Sequence, residues 1–245
     1  GGGSRLHRID GGAITWTNRG DVCWIGSELG DVDGDGDIDF LGSDQTQTHR
    51  LFRNQGRGTF VAGPAPRGAL AVAGDFDGDR DVDLILGDRL WKNDGRGQFA
   101  ASGGPIFGQV IDLKAGDLDG DGDLDLVTDY VGPIQALINN GSGVFRKRPP
   151  DLVTQFVAEQ VLADFDGDRD LDLIGANLLQ RNDGTGNFRS APTGWLPPTD
   201  DPTLVVVTGD VDGDGDIDLI FGNGAARINA NDWALYPAAP VAAFA

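Results

Sequence analysis

The stretch GDFDGDRDVDLILGDRLWKNDGRGQF (residues 74–99) decides the fold. It opens with aspartates at alternate positions, Asp75, Asp77, Asp79, Asp81 and Asp83, set around Gly78. An apolar run, Leu84-Ile85-Leu86, follows, then a turn at Gly87-Asp88 and a second short run through Leu90 and Trp91. An Asn-Asp-Gly turn then delivers Phe99. Short apolar runs bounded by Gly, Asn and Asp read as strands joined by tight turns, and Asn-Gly or Asp-Gly pairs supply the positive φ that hairpin turns need. No segment of the chain shows a sustained helical period with caps, so essentially no helix is expected.

The same unit occurs five times. The acidic loop begins at Asp31, Asp75, Asp117, Asp164 and Asp210, at spacings of 44, 42, 47 and 46 residues. The second landmark ends at Phe60, Phe99, Phe145 and Phe188; the fifth copy decays to RINANDWAL (227–235). Each unit reads as four short strands, with AARIN (225–229) as the third strand of the last copy. Four antiparallel strands per repeat of this length match one propeller blade. The expected fold is therefore all-β: a β-propeller of about five four-stranded blades, one acidic loop per blade. A single domain over residues 1–245 is expected, with repeats at about 24–60, 61–99, 100–145, 146–188 and 189–235. RLHRIDGGAI (5–14) resembles the second half of a unit, as in RLFRNQGRGTF (50–60), giving an N-terminal half-repeat over residues 5–17. Residues 5–14 are expected to pair with the C-terminal part, closing the ring or joining a neighbouring chain, because an open strand edge invites association.

Every loop reads D-x-D-G-D-x-D-x-D. The candidate metal ligands are Asp31, Asp33, Asp35, Asp37 and Asp39; Asp75, Asp77, Asp79, Asp81 and Asp83; Asp117, Asp119, Asp121, Asp123 and Asp125; Asp164, Asp166, Asp168, Asp170 and Asp172; and Asp210, Asp212, Asp214, Asp216 and Asp218. Alternate carboxylates around a glycine turn can wrap a hard cation in oxygen, and flexible all-oxygen coordination suits Ca2+ better than Mg2+. No loop contains Cys or His, which argues against zinc and copper. In an EF-hand-like register, positions 1, 3, 5 and 9 would bind through side chains and position 7 through its carbonyl. An EF-hand itself is excluded: position 12 is Gly42, Leu86, Thr128, Gly175 or Phe221 where a Glu is required, and the flanks are strand-like. Position 6 is Gly36 in the first loop but Arg80 and Arg169 in the second and fourth, which should weaken those two sites.

Charge follows from the loops. The net charge is −20, yet 25 of the 39 acidic residues lie in them, leaving 14 acidic against 19 basic residues elsewhere. The acidity is thus a property of about five Ca2+ sites, and without cations it opposes folding. One cysteine, Cys23, excludes an internal disulfide framework. Met is absent, so a processed or trimmed chain is expected. No run reaches the length of a membrane-spanning helix, and the short basic run Arg146–Arg148 before Pro149-Pro150 reads as a solvated loop, so neither membrane insertion nor nucleic-acid binding is expected. Millimolar free calcium is found outside cells, which favours a secreted or cell-surface address.

The pair of motifs, the acidic loop followed by N-x-G-x-G-x-F, resembles the FG-GAP/VCBS repeat over residues 24–235. That repeat builds the calcium-binding propeller of integrin α-chains and a propeller lectin from mushrooms. The resemblance implies blades whose calcium loops join their first two strands, and a binding or adhesion role without catalysis.

The residues agree with a non-enzyme. Only His7 and His49 are present, neither beside a nucleophile motif, and most acids are committed to the loops. The segments between the Phe landmark and the next loop vary most in length and are expected to carry specificity. They offer Trp195 as an aromatic platform for a sugar ring; Tyr130 and Trp91 are further candidates elsewhere, although Trp91, like Trp24, lies on a strand-like run and is expected to pack between blades. The expected partner is a glycan or an extracellular protein; a structural subunit joined by strand exchange, and so self-associating, is the alternative.

Overall fold

The computed structural model describes residues 5–10, 13–18, 22–44, 49–56, 59–63, 66, 71–108, 110–130, 134–149, 160–175, 178–191, 205–209, 217–222 and 234–236. Among these, every regular element is a strand. The chain divides into two compact units, Gly1–Gln109 with Gly141–Gly143, and Val110–Asn140 with Val144–Ala245.

The first unit holds a hairpin and two sheets. Strands β1 (Arg5–Asp10) and β2 (Ala13–Asn18) pair antiparallel from Arg5↔Asn18 to Asp10↔Ala13. A four-stranded sheet follows in the order β3-β4-β5-β6: Val22–Gly30, Asp39–Asp44, His49–Asn54 and Phe60–Gly63. The second sheet contains β7 (Ala71–Gly74), β8 (Asp83–Leu86), β9 (Arg89–Asn93) and β10 (Phe99–Ser102), again each beside the next in sequence.

The second unit repeats the design. Its first sheet is β11 (Val110–Gly116), β12 (Asp125–Tyr130), β13 (Gln135–Ile138) and β14 (Arg146–Arg148). Its next is β15 (Gln160–Ala163), β16 (Asp172–Gly175), β17 (Leu178–Asn182) and β18 (Phe188–Ser190). The last described sheet has three strands, β19 (Val205–Gly209), β20 (Asp218–Gly222) and β21 (Ala234–Tyr236). Residues 225–229, expected as the third strand there, lie outside the described residues; the place beside β20 is taken by β21, with Ile220 opposite Leu235.

Register decides where the loops sit. Every acidic loop joins the first two strands of its sheet, and the residue before the loop always pairs with its ninth position. The pairs are Gly30↔Asp39, Gly74↔Asp83, Gly116↔Asp125, Ala163↔Asp172 and Gly209↔Asp218. Among the described residues β1 pairs with β2; residues 223–233 and 237–245, in the C-terminal part expected to pair with residues 5–14, lie outside them.

Apolar residues at loop positions 2 and 8 and on the inner strands fuse neighbouring sheets. In the first unit, Val32, Leu41 and Leu51 pack with Leu84 and Leu86, joined by Val82 and Trp91. In the second, Leu118, Val127 and Ala136 pack with Leu173 and Phe188, and Phe165, Ile174 and Leu179 continue the core toward Ile217. Position 8 fits against a glycine of the preceding sheet: a Cβ on Gly116 would stand 2.7 Å from Leu171 Cδ1. All four residues of β8 are buried, as a strand covered on both faces requires.

The Asn/Gly turn is equally tight at Gly186, where φ is +73° and a Cβ would stand 2.7 Å from Ile138 Cδ1. Gly122, in the third acidic loop, has φ +92° with open space around it. Gly186→Ala should therefore destabilise the protein by about 2–3 kcal/mol, and Gly122→Ala by only about 1 kcal/mol. Urea unfolding of the two variants checks this; equal losses would contradict the packing just described.

Candidate metal centres

The first aspartate of each of the four described loops organises the turn. Its Oδ1 accepts the N–H of position 4, from Gly34, Gly78, Gly120 and Gly167 at 2.7–2.8 Å. Its Oδ2 accepts the N–H of position 6, from Gly36, Arg80, Gly122 and Arg169 at 2.8–3.0 Å. Those bonds hold position 6 at positive φ, 89° and 92° for Gly36 and Gly122. Arg80 and Arg169 adopt the same conformation at 74° and 79°, at a strain of about 1 kcal/mol each. At position 5, Asp35, Asp79, Asp121 and Asp168 each accept the N–H of position 7.

The ninth aspartate has a different role, which the sequence did not disclose. Asp39, Asp83, Asp125 and Asp172 are all buried, and each uses both oxygens on backbone N–H groups. One oxygen accepts from position 2 of the loop: Val32 at 2.9 Å, Phe76 at 3.2 Å, Leu118 at 2.8 Å and Phe165 at 3.3 Å. The other accepts from the Asn of the following turn: Asn54 at 2.7 Å, Asn93 at 2.8 Å, Asn139 at 2.7 Å and Asn182 at 2.8 Å. The loop and the Asn turn are thus fastened to one carboxylate.

The turn Asn extends the link to the next sheet. Asn93 Nδ2 donates to Val82 O of its own loop and to Val32 O of the preceding one, at 3.0 and 2.7 Å. Asn182 Nδ2 does the same with Leu171 O and Leu118 O, at 3.2 and 2.7 Å. Their Oδ1 atoms accept from Gly97 and Gly186.

Positions 1, 3 and 9 converge. Ligand atoms of Asp31, Asp33 and Asp39 all lie within 4.8 Å of one another, as do those of Asp75, Asp77 and Asp83, of Asp117, Asp119 and Asp125, and of Asp164, Asp166 and Asp172. Position 5 lies outside these triads. Position 7 turns away: Asp81 and Asp170 rest on the Asn/Gly turn, where a Cβ on Gly95 or Gly184 would come within 2.7 and 2.5 Å of their oxygens. Of the fifth loop, Asp210, Asp212, Asp214 and Asp216 lie outside the described residues, and Asp218 opens β20.

Electrostatics and the donor set both fit a cation. Burial, opposed by the two N–H bonds, raises Asp83 and Asp125 to about 6 and Asp172 to about 7. Burial and then the Asp121 charge raise Asp119. Burial also raises Asp77, but the hydrogen bond and charge of Lys92 outweigh it, leaving that carboxyl lowered. Oδ1 of Asp33 and Oδ1 of Asp119 are buried without a hydrogen-bond partner. A buried carboxylate oxygen without a donor is costly, and an all-oxygen triad offers what a hard divalent ion takes.

The candidate sugar platforms fare differently. Trp91, in β9, packs half-buried on the Leu41–Leu84 core. Tyr130 ends β12 opposite Val110, and Trp195 lies outside the described residues.

The FG-GAP-like repeat matches residues 31–86, 75–128, 117–175 and 164–221, each match running from one acidic loop through the next. The chain belongs to the FG-GAP-like repeat family. Among solved structures, this FG-GAP chain is similar to an Agrocybe aegerita lectin that recognises non-reducing terminal N-acetylglucosamine, at 26% identity and TM-score 0.52, covering 66% of this chain and 50% of the lectin. It therefore spans half the length of that lectin. It is also similar to the Photorhabdus luminescens Tc holotoxin pore, at 21% identity and TM-score 0.49, covering 95% of this chain and 12% of that one. The V. cholerae biofilm matrix protein Bap1 follows at 15% identity and TM-score 0.46, covering 86% and 36%. No curated protein matches. Among the described residues, four Asp triads that could hold a metal ion accompany the four matched repeats.

Because the ninth aspartate serves the backbone as well as any ion, Asp125→Ala should destabilise the FG-GAP fold even in excess chelator, by about 3 kcal/mol or more. Asp121→Ala, whose carboxylate is exposed outside the triad, should cost under about 1 kcal/mol under the same conditions. Chemical denaturation in chelator measures both, and matching losses would remove the distinction between the two positions.

Proposed function

We propose that the chain is a calcium-stabilised propeller that works outside the cytoplasm as a glycan-binding module without catalysis. The observation that carries this reading is the likeness to the Agrocybe aegerita lectin, at 26% identity over 66% of the chain, on repeats of one family. In this reading Asp31, Asp33 and Asp39, and their counterparts in the other loops, hold Ca2+. The ion supplies the positive charge that three converging carboxylates lack, and so sets the geometry of the loop between the first two strands of each blade. Blades 24–60, 61–99, 100–145, 146–188 and 189–235 form one propeller over residues 1–245, and the variable segments between them, Trp195 included, present the sugar-binding face.

A second reading has one observation in its favour. The hairpin β1–β2 pairs with no further strand among the described residues, so it can complete a sheet of another copy. The chain is then a structural subunit of an extracellular assembly.

A glycan array separates the two. The first reading expects calcium-dependent binding to glycans with terminal N-acetylglucosamine or a related sugar, lost in chelator, by a monomer. An array without signal, together with self-association that disappears on deleting residues 1–17, would transfer the case to the second.

A further inference from the structure

Each described acidic loop faces one residue of its sheet's third strand, the residue just before the turn Asn. That residue is Arg53, Lys92, Ile138 and Arg181 in turn. In the first, second and fourth loops it approaches the carboxylate at the third loop position, a member of every triad.

The four described loops differ at this point. Lys92 Nζ lies 2.7 Å from Asp77 Oδ2 and also donates to Ser142 O at 3.3 Å. Arg181 engages Asp166 Oδ2 through both Nε and Nη2 and reaches Asp168 Oδ2 at 3.4 Å. Arg53 is held off: its Nη2 donates to Gly97 O at 2.8 Å, and its Nε stays 3.9 Å from Asp33 Oδ2. In the third loop no cation stands there. Ile138 packs instead on the Leu118–Phe188 core, and Asp119 Oδ1 is buried without a partner.

Shielding makes these ion pairs matter. The Asp77 side chain is 10% exposed and that of Asp166 1%, so water screens neither pair well. A divalent ion bound to the same carboxylate must displace the side-chain cation or share the oxygen with it, and the two positive charges repel at a few ångströms. The same two loops also carry Arg80 and Arg169 at position 6, whereas the third has Gly122.

We propose that the third-strand residue grades the metal sites. Lys92 and Arg181 are built-in counter-ions that compete with calcium for the position-3 carboxylate, so the second and fourth loops bind weakly and keep their form when the ion leaves. The third loop, with Ile138 in that place, binds tightly and depends on its ion; the first is intermediate. As calcium falls, the second and fourth loops release first and pass their charge to Lys92 and Arg181. This inference rests on the calcium reading above.

Calorimetric titration of the full chain, stripped with chelator and titrated with calcium chloride, tests it. Wild type should show a tight and a weak class of sites. Arg181→Ile and Lys92→Ile should each move one site out of the weak class, with a gain in affinity of about tenfold or more. Ile138→Lys should weaken one tight site by a similar factor. Because Ile138 is part of the core, that variant counts only if its circular dichroism is unchanged; Lys92 and Arg181 are partly exposed and carry the test without it. Calcium binding in which neither the Arg181 nor the Lys92 variant gains a tighter site overturns the grading and leaves the calcium reading standing. Absence of any calcium heat overturns both.

Discussion

One carboxylate per repeat holds this fold together. At Asp39, Asp83, Asp125 and Asp172 the side chain is buried, and its oxygens take the N–H of the loop's second residue and the N–H of the turn Asn. Two backbone segments 17 to 22 residues apart, such as Phe76 and Asn93 or Val32 and Asn54, are therefore fixed to one point. Burying an ion costs several kcal/mol unless it is paired, and two N–H donors offset only part of that. Burial accordingly leaves Asp83, Asp125 and Asp172 raised in spite of those N–H bonds. For such a group, with the folded value above the unfolded one, the sign is definite: the bare carboxyl favours folding at acid pH and loses that contribution as pH rises toward 6 or 7. A cation held with Asp positions 1 and 3 removes this penalty where the carboxylate is ionised.

From that point the sheets are chained. The turn Asn that donates its backbone N–H to the carboxylate also donates its side chain to the preceding loop, Asn93 to Val32 O and Asn182 to Leu118 O. Position 2 and position 8 of the loop meanwhile feed apolar groups into the shared cores. Loop order, turn order and sheet-to-sheet packing are thus one coupled network within each unit. Coupling of this kind makes a repeat array cooperative, because no sheet can loosen its loop without exposing its neighbour's carbonyl.

Much of this was legible in the residues. The strands and the placement of the loops on β-hairpins followed from apolar runs punctuated by Gly, Asn and Asp, and the positive φ at position 6 followed from the glycines there. The roles of individual aspartates did not follow. Asp81 and Asp83 belong to the same alternating series, yet one rests on the Asn turn and the other is the buried anchor. The difference is that Asp83 enters strand β8 opposite Gly74, a fact of register, which sequence spacing alone does not show. The turn Asn was read as a source of positive φ, and its reach into the next repeat depends on sheet packing. In the last copy the strand beside β20 is Ala234–Tyr236, and AARIN (225–229) lies outside the described residues.

The central claim is that these carboxylates need a cation to be stable when ionised. Thermal unfolding of the full chain at neutral pH, in millimolar calcium and again in excess chelator, tests it most directly. The account predicts a melting temperature more than about ten degrees lower in chelator, since an ion that binds only the folded state stabilises by mass action at every site it fills. Superimposable melting curves would contradict it.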